Sequence, residues 1–175
     1  VLGSLADEGK LDWNAPVRTY LPDFELFDEE IAQRMTPTDL VTHRSGLPRH
    51  DLVWYNAPYT RGEIYGRLRY LPHNKDLRTD FQYNNLMYLT AGYMAGKLNG
   101  TTWEEAVRQR LFGPLGMTSS NFSVGDSEKS PDYAHAYQKD DKEEVHEVPI
   151  LVADNVGPAG SINSNLEDMT QYLLL

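Results

Sequence analysis

The chain has 175 residues, with 16 Lys and Arg against 26 Asp and Glu, a formal net charge of −10. That balance leaves no surplus of cations to neutralise phosphates, which argues against nucleic acid and against an anionic membrane surface as partners. There is no cysteine, so disulfide frameworks, thiolate metal sites and cysteine nucleophiles are excluded, and no apolar run reaches the ~18 residues that a membrane span needs.

Leu2, Leu5 and Ala6 share one face of a helix that Gly9 stops. Pro16 opens a short turn through Tyr20, and Pro22 ends it. Thr36 caps a helix with Pro37 in its first position, and Ser45-Gly46-Leu47-Pro48 breaks it. Thr60 with Glu63 reads as a capping box ahead of Ile64, Leu68 and Leu71. Asn84 or Asn85 caps the next helix, whose buried stripe is Leu86, Leu89, Tyr93 and Leu98 and whose stop is Gly100. Thr102 with Glu105, and Ser164 with Glu167, repeat the capping device. Tyr133 to Gln138 and Val145 to Val152 alternate as strands do, and the polar Lys139-Asp140-Asp141-Lys142 between them suits a hairpin turn. From Asp126 to Glu147 eight acidic residues face three basic ones, so half the net charge lies on a stretch that reads as solvated loop and hairpin. The expectation is a mainly α chain with one short β-hairpin, with Trp13, Phe81 and Trp103 in the core.

Few residues carry recognisable chemistry by spacing alone. The five histidines (His43, His50, His73, His135 and His146) fit no metal-binding spacing, and no metal or cofactor is expected. Neither a phosphate-cradling glycine loop nor a G-x-S-x-G elbow is present, and Asn155-Val156-Gly157-Pro158-Ala159-Gly160 is only a glycine-bearing turn. A serine-lysine pair needs S-x-x-K, one helical turn stacking the amine beneath the hydroxyl, and no serine here has a lysine at that spacing. Tyr83-Asn84-Asn85 fits Y-x-N, while Ser119-Ser120-Asn121 and Ser161-Ile162-Asn163 fit S-x-N. Three letters are too common to decide anything without a frame around them.

The frame is an ordered set of segments. Gly9-Lys10-Leu11-Asp12-Trp13-Asn14-Ala15-Pro16-Val17 comes first, then Tyr20-Leu21-Pro22. Thr38-Asp39-Leu40-Val41-Thr42-His43-Arg44-Ser45-Gly46-Leu47-Pro48 follows, then Phe81-Gln82-Tyr83-Asn84-Asn85-Leu86-Met87-Tyr88. Leu111-Phe112-Gly113-Pro114-Leu115-Gly116-Met117 and Pro158-Ala159-Gly160-Ser161 complete it. Together, over nearly the whole chain, they resemble the serine β-lactamase-like family of class C β-lactamases, penicillin-binding proteins and related esterases.

The resemblance implies the helical middle of that family's α/β fold, as one partial domain over residues 1–175. The nucleophilic serine and its lysine are then expected before Val1, and the late H-x-G or K-[ST]-G strand beyond Leu175. It implies that Tyr83 handles protons at the serine, helped by the lysine because a free phenol titrates near 10. It implies that Asn85, whose amide both donates and accepts, holds the lysine and a substrate carbonyl. Asn84 departs from the small residue usual at the middle position and is expected to narrow the cleft. The turn of His43 and Ser45 is implied to be structural. Trp54, Tyr55 and Tyr59 are candidates for a substrate entrance, and Gly157 and Gly160 for its border. The implied activity is hydrolysis of an amide, β-lactam or ester in a small molecule or peptide through an acyl-enzyme, in the periplasm or outside the cell. The chain as it stands is expected to be inactive. The alternative is a noncatalytic member of the same fold that binds peptides or glycans, and a serine and lysine three apart upstream of Val1 would discriminate.

Overall fold

Side-chain caps mark the start of most of the helices. The computed structural model describes residues 1–175. Its first four helices are α1 (Leu2–Asp7), α2 (Glu29–Arg34), α3 (Pro37–Val41) and α4 (Arg61–Arg67). Then follow α5 (Asn85–Leu98), α6 (Trp103–Val107), α7 (Gly113–Leu115), α8 (Val124–Ser127) and α9 (Leu166–Leu173). A two-stranded hairpin, β1 (Ala136–Lys139) and β2 (Val145–Val148), lies between α8 and α9. Thr36 and Asp39 form a reciprocal capping box, as do Thr60 and Glu63, so two orphan donors at each helix start are satisfied. Thr102 accepts from the Glu105 N–H. The start of α9 differs from the sequence expectation: Asn165, not Ser164, is the cap, accepting from Asp168 N–H. The Ser164 hydroxyl is instead paired with that of Ser120, which also donates to buried Asp168.

Helix α5 is the centre of the molecule. The sequence predicts one apolar stripe, but Leu86, Met87, Leu89, Thr90, Ala91, Gly92, Met94, Ala95 and Gly96 are all buried, so nearly the whole circumference is covered. Tyr93 and Leu98 are only partly buried. Small residues make the difference. A methyl built on Gly92 would stand 2.2 Å from Pro158 in the 3₁₀ turn Asp154–Ala159, and one on Gly96 would meet the Thr101 carbonyl at 2.8 Å. Both neighbours therefore approach the α5 backbone closely. Leu5, Leu40, Leu47, Ile64, Leu68, Leu86 and Met87 are fully enclosed in the core that α5 organises, each contributing about 1.5–3 kcal/mol by leaving water. A second cluster joins Ala95, Trp103, Val107, Phe112, Met117 and Phe122.

The hairpin is antiparallel, with Ala136 opposite Val148 and Lys139 opposite Val145. Its strands are shorter than the alternation suggests, and Lys139 belongs to β1 rather than to the turn. Both Lys142 and Glu144 donate their N–H groups to Asp140 Oδ1, closing the turn. No helix is long and apolar enough to cross a membrane.

Candidate active site

Tyr83 sits at the end of an extended segment that leads into α5, and a turn from another part of the chain holds it. Gln82 N–H donates to the His43 carbonyl at 2.7 Å, and Asn84 N–H donates to His43 Nδ1 at 3.1 Å. Accepting at Nδ1 fixes the neutral imidazole with its proton on Nε2, and burial holds His43 below its ordinary value near 6.5. The His43 ring lies tilted against the Tyr83 ring at 4.5 Å and against Tyr88 at 5.0 Å, with Phe81 edge-on at 5.4 Å. The turn is therefore structural, and its role is specific. His43 aligns the Y-x-N segment by both backbone and ring.

The same turn is locked from beneath. Asp39 is fully buried and accepts from Arg44 Nε at 2.6 Å, from Arg78 Nε and Nη2 at 2.9 and 2.8 Å, and from Thr36. Burial by itself would raise its pKa, but the bonds from Arg78, Thr36 and Arg44 outweigh burial and bring it to about 2. Gly46 adopts φ +76°, with the Lys75 carbonyl where a β-carbon would be, so no side chain fits there. Ser45 is buried and accepts from the Leu47 N–H, which removes it as a nucleophile.

Asn84 and Asn85 separate cleanly. Asn84 is completely buried. Its Oδ1 accepts from Met87 N–H at 3.0 Å as the α5 cap, and its Nδ2 donates to the Leu47 and Pro48 carbonyls, each at 2.9 Å. It turns inward and does not narrow a cleft. Asn85 is the first residue of α5, half-buried, and its amide makes no hydrogen bond to the protein. Tyr83 is 44% exposed and its hydroxyl has no protein partner. Two polar groups two residues apart in sequence are thus left without a protein partner, a phenol that can give or take a proton and an amide that can both donate and accept.

Other candidates fall elsewhere. Phe81 is 73% exposed rather than core, because it lies on the same extended segment as Tyr83 and only its edge contact with His43 covers it. Trp103 is core, and Trp13 packs partly buried against the main cluster. Trp54 is largely buried with its indole N–H on Asp51 and borders a cavity of about 280 Å³ with Ala57 and Asn155, whereas Tyr55 is exposed. Tyr59 is covered by the Arg67 guanidinium, 3.9 Å from its ring centroid. Gly157 is buried where Arg61, Ser161 and Trp103 crowd it, and so borders packing rather than a cleft. Gly160 is exposed. His50 meets the Pro72 carbonyl rather than His43. Asp140, Glu144 and His146 lie together at the exposed hairpin turn, where Asp140 is occupied by backbone N–H groups and His146. Cavities of about 520 Å³ beside Arg61 and Lys97, 440 Å³ beside Tyr133 and His135 and 420 Å³ beside Asn121 and Asn163 do not touch Tyr83. Tyr83 is exposed and Asn85 half-buried, outside those cavities.

Sequence reasoning misses two residues beside Tyr83. One is His43 as the aligner of Tyr83, and the other is Arg49, whose Cζ lies 5.3 Å from the Tyr83 ring centroid. Neither has a local signature, since each reaches Tyr83 from a distant stretch of sequence.

The chain is 32% identical over 98% of its length to the Unguisins hydrolase ungD' of Aspergillus campestris, of which it covers 34%. It is 28% identical over 81% of its length to the putative penicillin-binding protein PbpX of Bacillus subtilis, of which the match covers 34%. A D-amino acid amidase from Ochrobactrum anthropi, solved with L-phenylalanine amide, superposes with a TM-score of 0.76 at 26% identity, covering 97% of this chain and 49% of that one. A D-stereospecific amidohydrolase from Streptomyces gives 0.80 at 21% identity over 98% of this chain and 55% of its own, a likeness of fold. The chain thus spans about a third of the length of these curated relatives. The family model described as Beta-lactamase matches residues 1–175, and the chain belongs to the Beta-lactamase family.

Proposed function

We propose that residues 1–175 are the helical part of an acyl-serine hydrolase that acts on amide, β-lactam or ester carbonyls. In this reading Tyr83 is the proton-handling group and Asn85 holds the carbonyl and the lysine. The observation that carries it is the free phenol of Tyr83, exposed and without a protein partner on a segment clamped by His43 and Asn84. Family membership and relatives named as hydrolases and amidases support the reaction class. Since no S-x-x-K occurs within residues 1–175, the nucleophile and its lysine come from outside them. Relatives named as penicillin-binding proteins support a site in the periplasm or outside the cell.

The test is hydrolysis of nitrocefin and p-nitrophenyl esters by the full-length protein and its Tyr83→Phe variant. Removing one general acid-base group is expected to lower kcat by about 10²–10⁴-fold with little change in thermal stability, because the hydroxyl has no partner to lose. An unchanged kcat overturns the role.

A further inference from the structure

Arg49 lies beside the proposed site, and its surroundings aim it. The two residues that flank it are each tied down: the Pro48 carbonyl accepts from buried Asn84, and His50 meets the Pro72 carbonyl from a left-handed backbone, φ +46°. The side chain is anchored at one atom only. Arg49 Nε donates to Asp51 Oδ2 at 2.7 Å, and Asp51 is itself held through Oδ1 by the buried Trp54 indole N–H at 3.0 Å. Both Nη groups are left without a protein acceptor, and the side chain is 59% exposed. The guanidinium rests on the Tyr83 ring, a contact that limits its rotation further.

The result is a pre-oriented fork of unpaired N–H donors next to a phenol whose hydroxyl is also free. A guanidinium fork matches a carboxylate in two parallel bonds. Because Nε is already spent on Asp51, the Nη edge is the one left to present. A carboxylate seated there lies on the guanidinium that flanks the Tyr83 ring. We propose that Arg49 is a specificity-determining residue that receives a carboxylate of the substrate, so that acyl compounds bearing a negative charge near the scissile carbonyl are preferred over neutral ones of the same shape. This rests on the hydrolase reading of the Tyr83 site and adds the charge of its substrate.

The experiment compares mono-4-nitrophenyl glutarate with 4-nitrophenyl valerate, which differ in the terminal carboxylate, using the full-length protein and its Arg49→Ala, Arg49→Gln and Arg49→Lys variants. The ratio of the two kcat/KM values is the readout, since a residue that merely supports Tyr83 would change both substrates alike. The wild type is expected to favour the glutarate by roughly tenfold to a hundredfold, the usual worth of a charge-assisted pair of bonds. Arg49→Ala and Arg49→Gln abolish the preference, and Arg49→Lys retains part of it. Binding of hippurate against its neutral amide, followed by calorimetry, separates the two readings. Turnover of both esters with no preference, or with one that survives Arg49→Ala, overturns the assignment of Arg49 and leaves the hydrolase reading intact. No turnover, with hippurate binding that weakens in Arg49→Ala, withdraws the hydrolase reading and retains the carboxylate site. No turnover and no hippurate binding overturns both.

Discussion

Replacing Asn84 by alanine tests the frame that holds Tyr83. The side chain is fully buried and serves three partners: the Met87 N–H at the start of α5, and the Leu47 and Pro48 carbonyls, for which no other donor is in place. Loss of an N-cap costs about 1 kcal/mol. Each carbonyl deprived of its donor adds about 1–3 kcal/mol, less where water enters. Asn84→Ala is therefore expected to destabilise the fold by about 3–5 kcal/mol, a large part of the 5–15 kcal/mol that a domain commonly has. In urea, with a slope of up to about 3 kcal/mol/M, the midpoint falls by about 1–2 M. Asn84→Asp separates the contributions. It retains the cap acceptor but sets a carboxylate oxygen against two carbonyls, so it too is expected to lose at least about 2 kcal/mol. The measurement is equilibrium unfolding followed by circular dichroism and tryptophan fluorescence. A loss below about 1 kcal/mol in Asn84→Ala, or an Asn84→Asp variant as stable as the wild type, would refute the account of this residue as a clamp.

Gly92→Ala should destabilise by about 1–3 kcal/mol, although alanine is the better helix former by about 1 kcal/mol, because its methyl would enter the space of Pro158. Gly66→Ala in α4, where a methyl meets nothing within 4 Å, should instead stabilise by up to about 1 kcal/mol, and paired thermal melts check the opposite signs. Asp39→Asn leaves Arg44 and Arg78 around an uncharged buried amide and should cost about 3–5 kcal/mol. With its folded pKa at about 2 against an ordinary 3.8, Asp39 contributes about 2 kcal/mol that is present above pH 4 and lost as pH falls toward 2, since the unfolded chain takes up its proton first. Acid unfolding should therefore be shallower over that window in the Asp39→Asn variant, and an unchanged slope would count against the pairing.

Local chemistry is legible in the sequence where the signal is short in range. Thr36, Thr60 and Thr102 cap the helices that their spacing predicts, and the polar run after Gln138 turns a hairpin. Ser164 is legible only in part, because the choice between it and Asn165 depends on Ser120 and Asp168 across the chain. The circumference of α5 cannot be read from a stripe of large residues, since glycine and alanine are buried by what approaches them and not by their own hydrophobicity.

The ordered motifs of the chain determined its family and its mainly helical character and singled out Tyr83 and Asn85 as candidates, because cap spacing and a Y-x-N frame are written in consecutive residues. Tertiary structure decided what those residues are free to do. It turned Asn84 inward and left Asn85 unpaired, exposed Phe81, buried Trp54, and brought His43 and Arg49 onto one tyrosine ring. Those outcomes depend on which side chains meet across distant segments, and the packing around α5 alone sets that.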